Sequence, residues 1–315
     1  MSALQRPVVI GTRDSALALW QTHWVLERLK ELYPEQAFEV KHIKTKGDKI
    51  LDVALAKIGD KGLFTKELEV AMLNGEIDMA VHSMKDLPTL LPEGCAIGAI
   101  CVREDCRDIL ISRNGGGLEE LPRGAKVGTA SLRRKAQIWK VRPDLELVDI
   151  RGNLQTRMRK MEEQNLDGLI LAAAGVKRLG WAEKITEYIP VDMCLPAVGQ
   201  GSVGIEIREG DEAIGRLVAA LNHAESALCV RAERALLRTL EGGCQVPIGS
   251  LGRLSGGKLI VDGVVASLDG RTICRDRVEG DPADPEEAGV RLAKKLLQQG
   301  AREILIQVRQ ETDLR

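Results

Sequence analysis

The residues with the most chemistry to offer stand at the ends of apolar stretches. Arg13 and Ser15 follow VVIGT, Lys85 and Asp86 follow DMAVHS, and Thr129, Ser131, Arg133 and Arg134 follow KVG. Arg151 follows LELVDI with Arg157 six residues on, and Lys177 and Arg178 follow LILAAAG. A guanidinium presents a planar fork of donors that matches a carboxylate or a phosphate, so arginines gathered from several strand ends suit a ligand with several anionic groups. Three such contacts, at about 1.5–3 kcal/mol each, outweigh ordinary binding costs. Asp86, an acid set among these cations, is the candidate for acid–base work or for stabilising a positive charge. Taken singly, each residue has a plainer reading. Ser15 and Ser131 serve as helix caps, Arg13, Arg151 or Arg178 as a surface ion pair, and Lys85-Asp86 as a turn closing a strand. Those readings do not predict convergence of the arginines on one cleft.

One thiol raises a separate question. Cys244 sits in EGGCQVPIGS, directly behind Gly242 and Gly243. The preceding run NHAESALCVRAERALLRTL carries a helical apolar stripe, and either glycine would end that helix. A helix C-terminus disfavours a thiolate unless cations lie close by. By itself Cys244 reads first as a small buried hydrophobe.

The elements that must position these groups come in two similar sets. RPVVIGTRDSALALWQTHWVLERLKELYP reads as strand, Gly-Thr turn and serine-started helix, and GAKVGTASLRRKAQIWKVRPD repeats that order. FTKELEVAMLNGEIDMAVHSMKDLP and LQTRMRKMEEQNLDGLILAAAGVKRLG each read as helix, turn and strand. This alternation favours parallel βαβ units, in which ligands bind beyond the carboxyl ends of the strands. LISRNGGGLEELPRG (110–124) reads as a surface loop, and LPAVGQGSVGIEIREG (195–210) as a strand crossing back to the first domain. From about residue 221 the pattern changes to a long helix, three strands with glycine hairpin signals, and a helix over EEAGVRLAKKLLQQG. The expected domains are 1–101 with 200–220, 102–199, and 221–315. The first six residues and the tail RQETDLR read as frayed.

Composition narrows the function classes. The 315 residues are 44% hydrophobic and 29% charged, ordinary for a soluble globular chain. Aromatics make up only 3%, which argues against stacking platforms for single-stranded nucleic acid. A net charge of −1 leaves no overall nucleic-acid footprint, although 126–180 carries twelve basic residues against six acids. No apolar run approaches membrane-spanning length and the first residues lack a signal peptide's apolar stretch, so a cytoplasmic protein is expected. Seven scattered cysteines and four dispersed histidines show no zinc spacing, so no metal is expected. IGTRDS and VGTASL lack a dinucleotide fingerprint, and no phosphate loop occurs. Carboxylates are therefore favoured over a nucleotide. A non-catalytic two-lobed anion-binding protein shares the cleft arginines, but gives no reason for Cys244 in its Gly-Gly loop or for Asp86 among cations.

From about Val8 to beyond Ile304 the chain closely resembles the porphobilinogen deaminases, also called hydroxymethylbilane synthases. The resemblance rests on GTRDSALALWQ, KGLFTKELE, DMAVHSMKDLP, GTASLRRKAQ, RGNLQTR, LAAAGVKRLG, LPAVGQGSVGIE and LEGGCQVPIG, in that order. It implies two α/β domains like type II, transferrin-like periplasmic binding proteins, plus a small α+β C-terminal domain carrying the cysteine. It further implies a cytoplasmic, monomeric enzyme of tetrapyrrole biosynthesis with a small-molecule substrate. Such an enzyme joins four porphobilinogens head to tail with loss of ammonia, then releases hydroxymethylbilane by hydrolysis. Cys244 matches the position that anchors a dipyrromethane cofactor through a thioether. Lys85, Asp86, Thr129, Ser131, Arg133 and Arg134 match cofactor-binding positions, and Arg13, Ser15, Arg151, Arg157, Arg178 and Gln200 match substrate contacts. Asp86 matches the carboxylate that hydrogen-bonds pyrrole N–H groups and stabilises an azafulvene-type cation. Residues 48–62 match a loop that covers the site, with Lys61 as a contact. Ala130 departs from the pattern, because many members carry a serine there.

Overall fold

The computed structural model describes residues 4–49, 62–241 and 246–313. Lys61 and Cys244 lie outside the described residues, as do residues 50–61 of the expected covering loop. The chain divides into two compact units: Met1–Leu51, Asp60–Glu104 and Ser202–Ala227 form the first, and Asp52–Gly59, Asp105–Gly201 and Leu228–Arg315 the second. Residues 105–199 and 228–315 of the expected second and third domains thus fall within one unit, while 102–104 and 221–227 belong to the other.

Unit 1 is built on a sheet of β1 (Val8–Thr12), β2 (Phe38–His42), β3 (Met79–Ser83), β4 (Cys95–Ile100) and, from far along the chain, β10 (Val203–Arg208). Their order is β2-β1-β3-β10-β4. β1 runs parallel to β2 and β3, while β10 is antiparallel to β3 and β4. Helices α1 (Ala16–Leu32) and α2 (Lys66–Leu73) supply core residues including Val25, Leu29, Leu68 and Met72.

Unit 2 repeats the plan with β5 (Asp108–Ser112), β6 (Lys126–Gly128), β7 (Glu146–Val148), β8 (Gly168–Ala172) and β9 (Glu187–Tyr188), ordered β7-β6-β8-β5-β9. Again the strand that leads into the Gly-Thr turn is flanked by two parallel neighbours, and the fourth strand is antiparallel. Its helices are α3 (Leu132–Val141), α4 (Leu154–Glu163) and α5 (Ala173–Arg178). The repeat reaches individual atoms. In unit 1 Val9 N–H donates to Asp78 Oδ2 (2.9 Å) and Asp78 N–H to the Val9 carbonyl (2.8 Å). In unit 2 Lys126 N–H donates to Asp167 Oδ2 (2.7 Å) and Asp167 N–H to the Lys126 carbonyl (2.8 Å). Each aspartate thereby fixes the start of the strand whose far end carries candidate residues.

Farther along, α6 (Glu212–Ala219) packs Ile214, Leu217 and Val218 into the unit 1 core. The helix α7 (Ala224–Thr239) precedes an antiparallel sheet of β11 (Ile248–Ser255), β12 (Lys258–Ala266) and β13 (Ile273–Gly280). Gly256 and Gly257 link β11 to β12 with φ of 56° and 74°, the left-handed pair that a tight hairpin requires. α8 (Pro285–Leu296) and α9 (Arg302–Asp313) complete this α+β module, and Leu236, Val261, Leu292 and Leu305 meet in its core. Two α/β sheets and a small α+β module agree with the expected fold class.

Three expectations are corrected. Leu110–Ser112 lies in β5, not in a surface loop, because DILIS is buried throughout between β8 and β9. The tail is helical to Asp313, since Ile304, Leu305 and Val308 bury an apolar face. Leu4 and Arg6, among the described residues ahead of β1, are also tied down. Leu4 N–H donates to Gln36 Oε1 (2.6 Å), and Arg6 donates two 2.7 Å bonds to Asp78.

Candidate functional site

In unit 1 the groups of interest collect at the carboxyl ends of β1 and β3. Gly11 precedes the turn because a Cβ there would lie 2.4 Å from Ile77 Cδ1. Ser15 caps α1 by accepting a hydrogen bond from Ala18 N–H (3.3 Å). That leaves Arg13 in the loop, with its guanidinium 4.2 Å from the centre of the Phe64 ring, a cation–π contact. β3 ends at Ser83 and passes into one 3-10 turn, Met84–Asp86, held by Met84 N–H donating to the Ser202 carbonyl (3.0 Å). This turn presents Lys85 and Asp86 half-buried. Asp86 lines a pocket of about 50 Å³ with Arg13, Ser15, Phe64, His82 and Ser83. Gln21, buried on α1, exchanges hydrogen bonds with Ser83 (2.9 and 3.3 Å). A carboxylate facing a small pocket beside a stacked guanidinium can hold a cationic or N–H-bearing group, and the arginine can hold that ligand's carboxylate.

In unit 2 the corresponding turn is one residue shorter: Thr129-Ala130-Ser131 stands where unit 1 has Thr12-Arg13-Asp14-Ser15. Gly128 is again required by close packing, with a Cβ falling 2.6 Å from Leu169 Cδ2. Ser131 caps α3 by accepting from Arg134 N–H (3.4 Å), and buried Thr129 accepts from Ser131 N–H (3.3 Å). Arg133 and Arg134 therefore occupy the first helical turn, where the dipole disfavours cations. Both are only 5% exposed and point into the protein. Arg133 donates to Asp108 Oδ2 (2.6 Å) and the Leu195 carbonyl (2.6 Å). Arg134 donates twice to Asp108 Oδ1 (3.0 and 2.8 Å) and once to the Ile170 carbonyl (3.1 Å). Gln200, also buried, donates to Asp108 Oδ1 (2.9 Å) and the Cys106 carbonyl (2.7 Å). Burial alone would raise the Asp108 carboxyl, but the charges of Arg133 and Arg134 outweigh it and hold the group well below the usual carboxylate range.

The remaining cations are more open. Arg151 is half-buried at the end of β7, and that burial pushes its guanidinium below the usual value. Gly152 (φ 113°) turns the chain so that Asn153 can cap α4 by accepting from Thr156 N–H (2.8 Å). Arg157, on the first turn of α4, donates from Nε to the Gly152 carbonyl (2.9 Å). Arg178 closes α5 and donates to the Gly201 carbonyl (2.7 Å), next to Gln200.

Unit 1 thus brings Arg13, Ser15 and Asp86 to one pocket, and unit 2 joins Arg133, Arg134 and Gln200 through Asp108. Sequence reasoning missed Asp108, Phe64, Gln21 and His82. An acid opening a buried apolar strand, in RDILIS, was the available signal for Asp108. The other three lie within sequence stretches already singled out, but only the tertiary structure turns them to the pocket. No group of three His, Cys, Asp or Glu among the described residues could hold a metal ion, and no described helix is long and apolar enough to cross a membrane.

The family model described as "Porphobilinogen deaminase, dipyromethane cofactor binding domain" matches residues 8–216, and "Porphobilinogen deaminase, C-terminal domain" matches residues 227–298. Porphobilinogen deaminase of Carboxydothermus hydrogenoformans is 58% identical over 310 residues, covering 98% of this chain and 100% of that protein. That of Pelotomaculum thermopropionicum is 58% identical over 308 residues, covering 98% and 99%. Among solved structures, the periplasmic aliphatic sulphonate binding protein SsuA of Escherichia coli is similar at 12% identity and a TM-score of 0.41, covering 76% of this chain and 71% of that one.

Proposed function

Because the chain belongs to the porphobilinogen deaminase family, we propose that it condenses four porphobilinogens head to tail with loss of ammonia and releases hydroxymethylbilane by hydrolysis. The family's cofactor-binding domain spans residues 8–216, so the chain is a dipyrromethane-dependent enzyme of tetrapyrrole biosynthesis. The observation that carries the finer reading is Asp86, presented on a 3-10 turn into a pocket shared with Arg13 and Ser15, inside that domain.

The donor set fits such a group. Dipyrromethane bears acetate and propionate side chains and pyrrole N–H groups, which call for guanidinium and hydroxyl donors and for a carboxylate acceptor respectively. Cys244 is proposed as the covalent anchor, with Lys85, Asp86, Thr129 and Ser131 as contacts. When bound, the cofactor supplies a tethered primer with a free ring carbon. Asp86 accepts hydrogen bonds from pyrrole N–H groups and opposes the positive charge that develops as ammonia leaves the substrate. Arg13 and Ser15 orient substrate carboxylates in unit 1, and Arg151, Arg157 and Arg178 do so in unit 2, with Lys61 as a further contact. Arg133, Arg134 and Gln200, already bonded to Asp108, contribute through the positive potential and shape they give this end of unit 2.

The test is the intact mass of the denatured protein, followed by peptide mapping around Cys244. An adduct of two linked pyrroles at Cys244, absent from Cys244→Ser together with all turnover of porphobilinogen, is the expected result. A bare thiol that stays bare after incubation with porphobilinogen would overturn the reading.

A further inference from the structure

Behind the Asp86 pocket, unit 1 buries three titratable groups that the mechanism above does not use. Glu206 on β10 is 0% exposed, His82 on β3 is 5% exposed, and Glu69 on α2 is 4% exposed. The register pairs Gly204 with His82 and Glu206 with Ala80, so His82 and Glu206 are diagonal neighbours on one face of the sheet. Their Nε2 and Oε2 atoms lie 2.9 Å apart, at an angle that makes neither a hydrogen-bond partner of the other. Both Glu206 oxygens are likewise buried without a hydrogen-bond partner among the described residues, while the Thr65 side chain stands beside the Glu69 carboxyl. His82 and Thr65 line the pocket as well.

Two carboxyl groups and one imidazole cannot neutralise one another without a further proton. An uncompensated charge in this dry environment would cost several kcal/mol. Glu67 and Thr65 from the start of α2 act on Glu69, Cys95 from β4 feels Glu206 and Glu69, and Asp86 and Arg13 share the pocket that His82 lines. Burial, with Glu206 adding to it, pushes the Glu69 carboxyl above the usual range. Burial followed by the charges of Glu206 and Glu69 pushes the Cys95 thiol up to about 11.

We propose that Glu69, Glu206 and His82 hold one exchangeable proton behind the Asp86 pocket, and that His82 passes it to and from that pocket. The relay rests on the reaction proposed above, whose proton balance it closes. In each condensation the C–N bond breaks with its electron pair on nitrogen, which takes a proton from the cluster and leaves as ammonia. The new C–C bond forms from a ring electron pair. The C–H bond then breaks, its pair restores the ring, and its proton returns to the cluster. No external acid or oxidant is required.

Infrared spectra at neutral pH, in water and in deuterium oxide, test the store without reference to activity. The wild type should show a carboxylic-acid C=O band that Glu69→Gln or Glu206→Gln removes. If neither variant removes such a band, the store is overturned. For the relay, His82→Gln should slow single-turnover condensation on the order of 10²-fold and change its pH profile, while the adduct mass at Cys244 persists. An unchanged rate and profile would overturn it. A wild type lacking both adduct and turnover would instead sink the proposed reaction, and the infrared result would still decide the store.

Discussion

The two sheets present the same acid-and-arginine chemistry in opposite ways. In unit 1 the cation comes before the helix cap, so Arg13 stays in the loop over Phe64 and Asp86 faces a pocket. In unit 2 the cations come after the cap, in the first turn of α3, and turn inward onto a fully buried Asp108. A difference of one residue in the turn, Thr12-Arg13-Asp14-Ser15 against Thr129-Ala130-Ser131, accompanies this change. The contrast shows that an arginine's distance from the strand end does not decide its use. In these two turns the guanidinium ahead of the N-cap stays in the loop, and those just after it turn into the core.

If this contrast holds, replacing the two acids should have different effects. Asp108→Asn leaves two buried guanidinium groups short of their counter-charge and should destabilise the protein by about 3–5 kcal/mol, read from urea unfolding midpoints. The effect should depend on pH. The folded Asp108 carboxyl is held below its unfolded value, so its contribution is complete above about pH 4, where the unfolded aspartate is ionised. It is lost as pH falls toward the folded value, so wild type and variant should converge in acid. Equal stability of the two proteins at neutral pH would remove Asp108 as the organising charge of unit 2.

Asp86→Asn should do the reverse, lowering turnover about 10²–10³-fold while the unfolding midpoint and the adduct at Cys244 are retained. Retention of most activity would place Asp86 with Asp108 as a structural acid. Arg151→Leu, which removes a half-buried guanidinium, should cost about 1.5–3 kcal/mol of substrate or chain binding, seen as a raised KM with little loss of stability. Unchanged kinetics would make Arg151 a surface charge. The smallest effects should come from the caps. Ser15→Ala and Ser131→Ala should each lower stability by about 1 kcal/mol, because both hydroxyls accept an amide of the first helical turn. A much larger cost at Ser131 would mean that its cap also aims Arg133 and Arg134.

Much of this arrangement was legible in advance, for identifiable reasons. The duplicated order of strand, Gly-Thr turn and capped helix follows from period-2 and period-3.6 patterns and from glycines that close packing requires. The glycine hairpin between β11 and β12 needs positive φ, which the sequence advertises. β5 was misread because DILIS is followed immediately by polar and glycine residues, and its strand character depends on two partners distant in the chain. α9 was missed because its apolar face is short and acquires meaning only against the core of β11 to β13.

The sequence by itself determined the local elements, the caps, the family, and the positions of the cations and Asp86 at strand ends, because these depend on short-range pattern and residue type. Only the tertiary structure decided which cations remain available. Asp108 lies 25 residues before Arg133, and Glu206 lies 124 residues after His82. Whether a charge is neutralised, buried or free depends on such distant partners and on the low dielectric around them, and nothing in the neighbouring sequence records either.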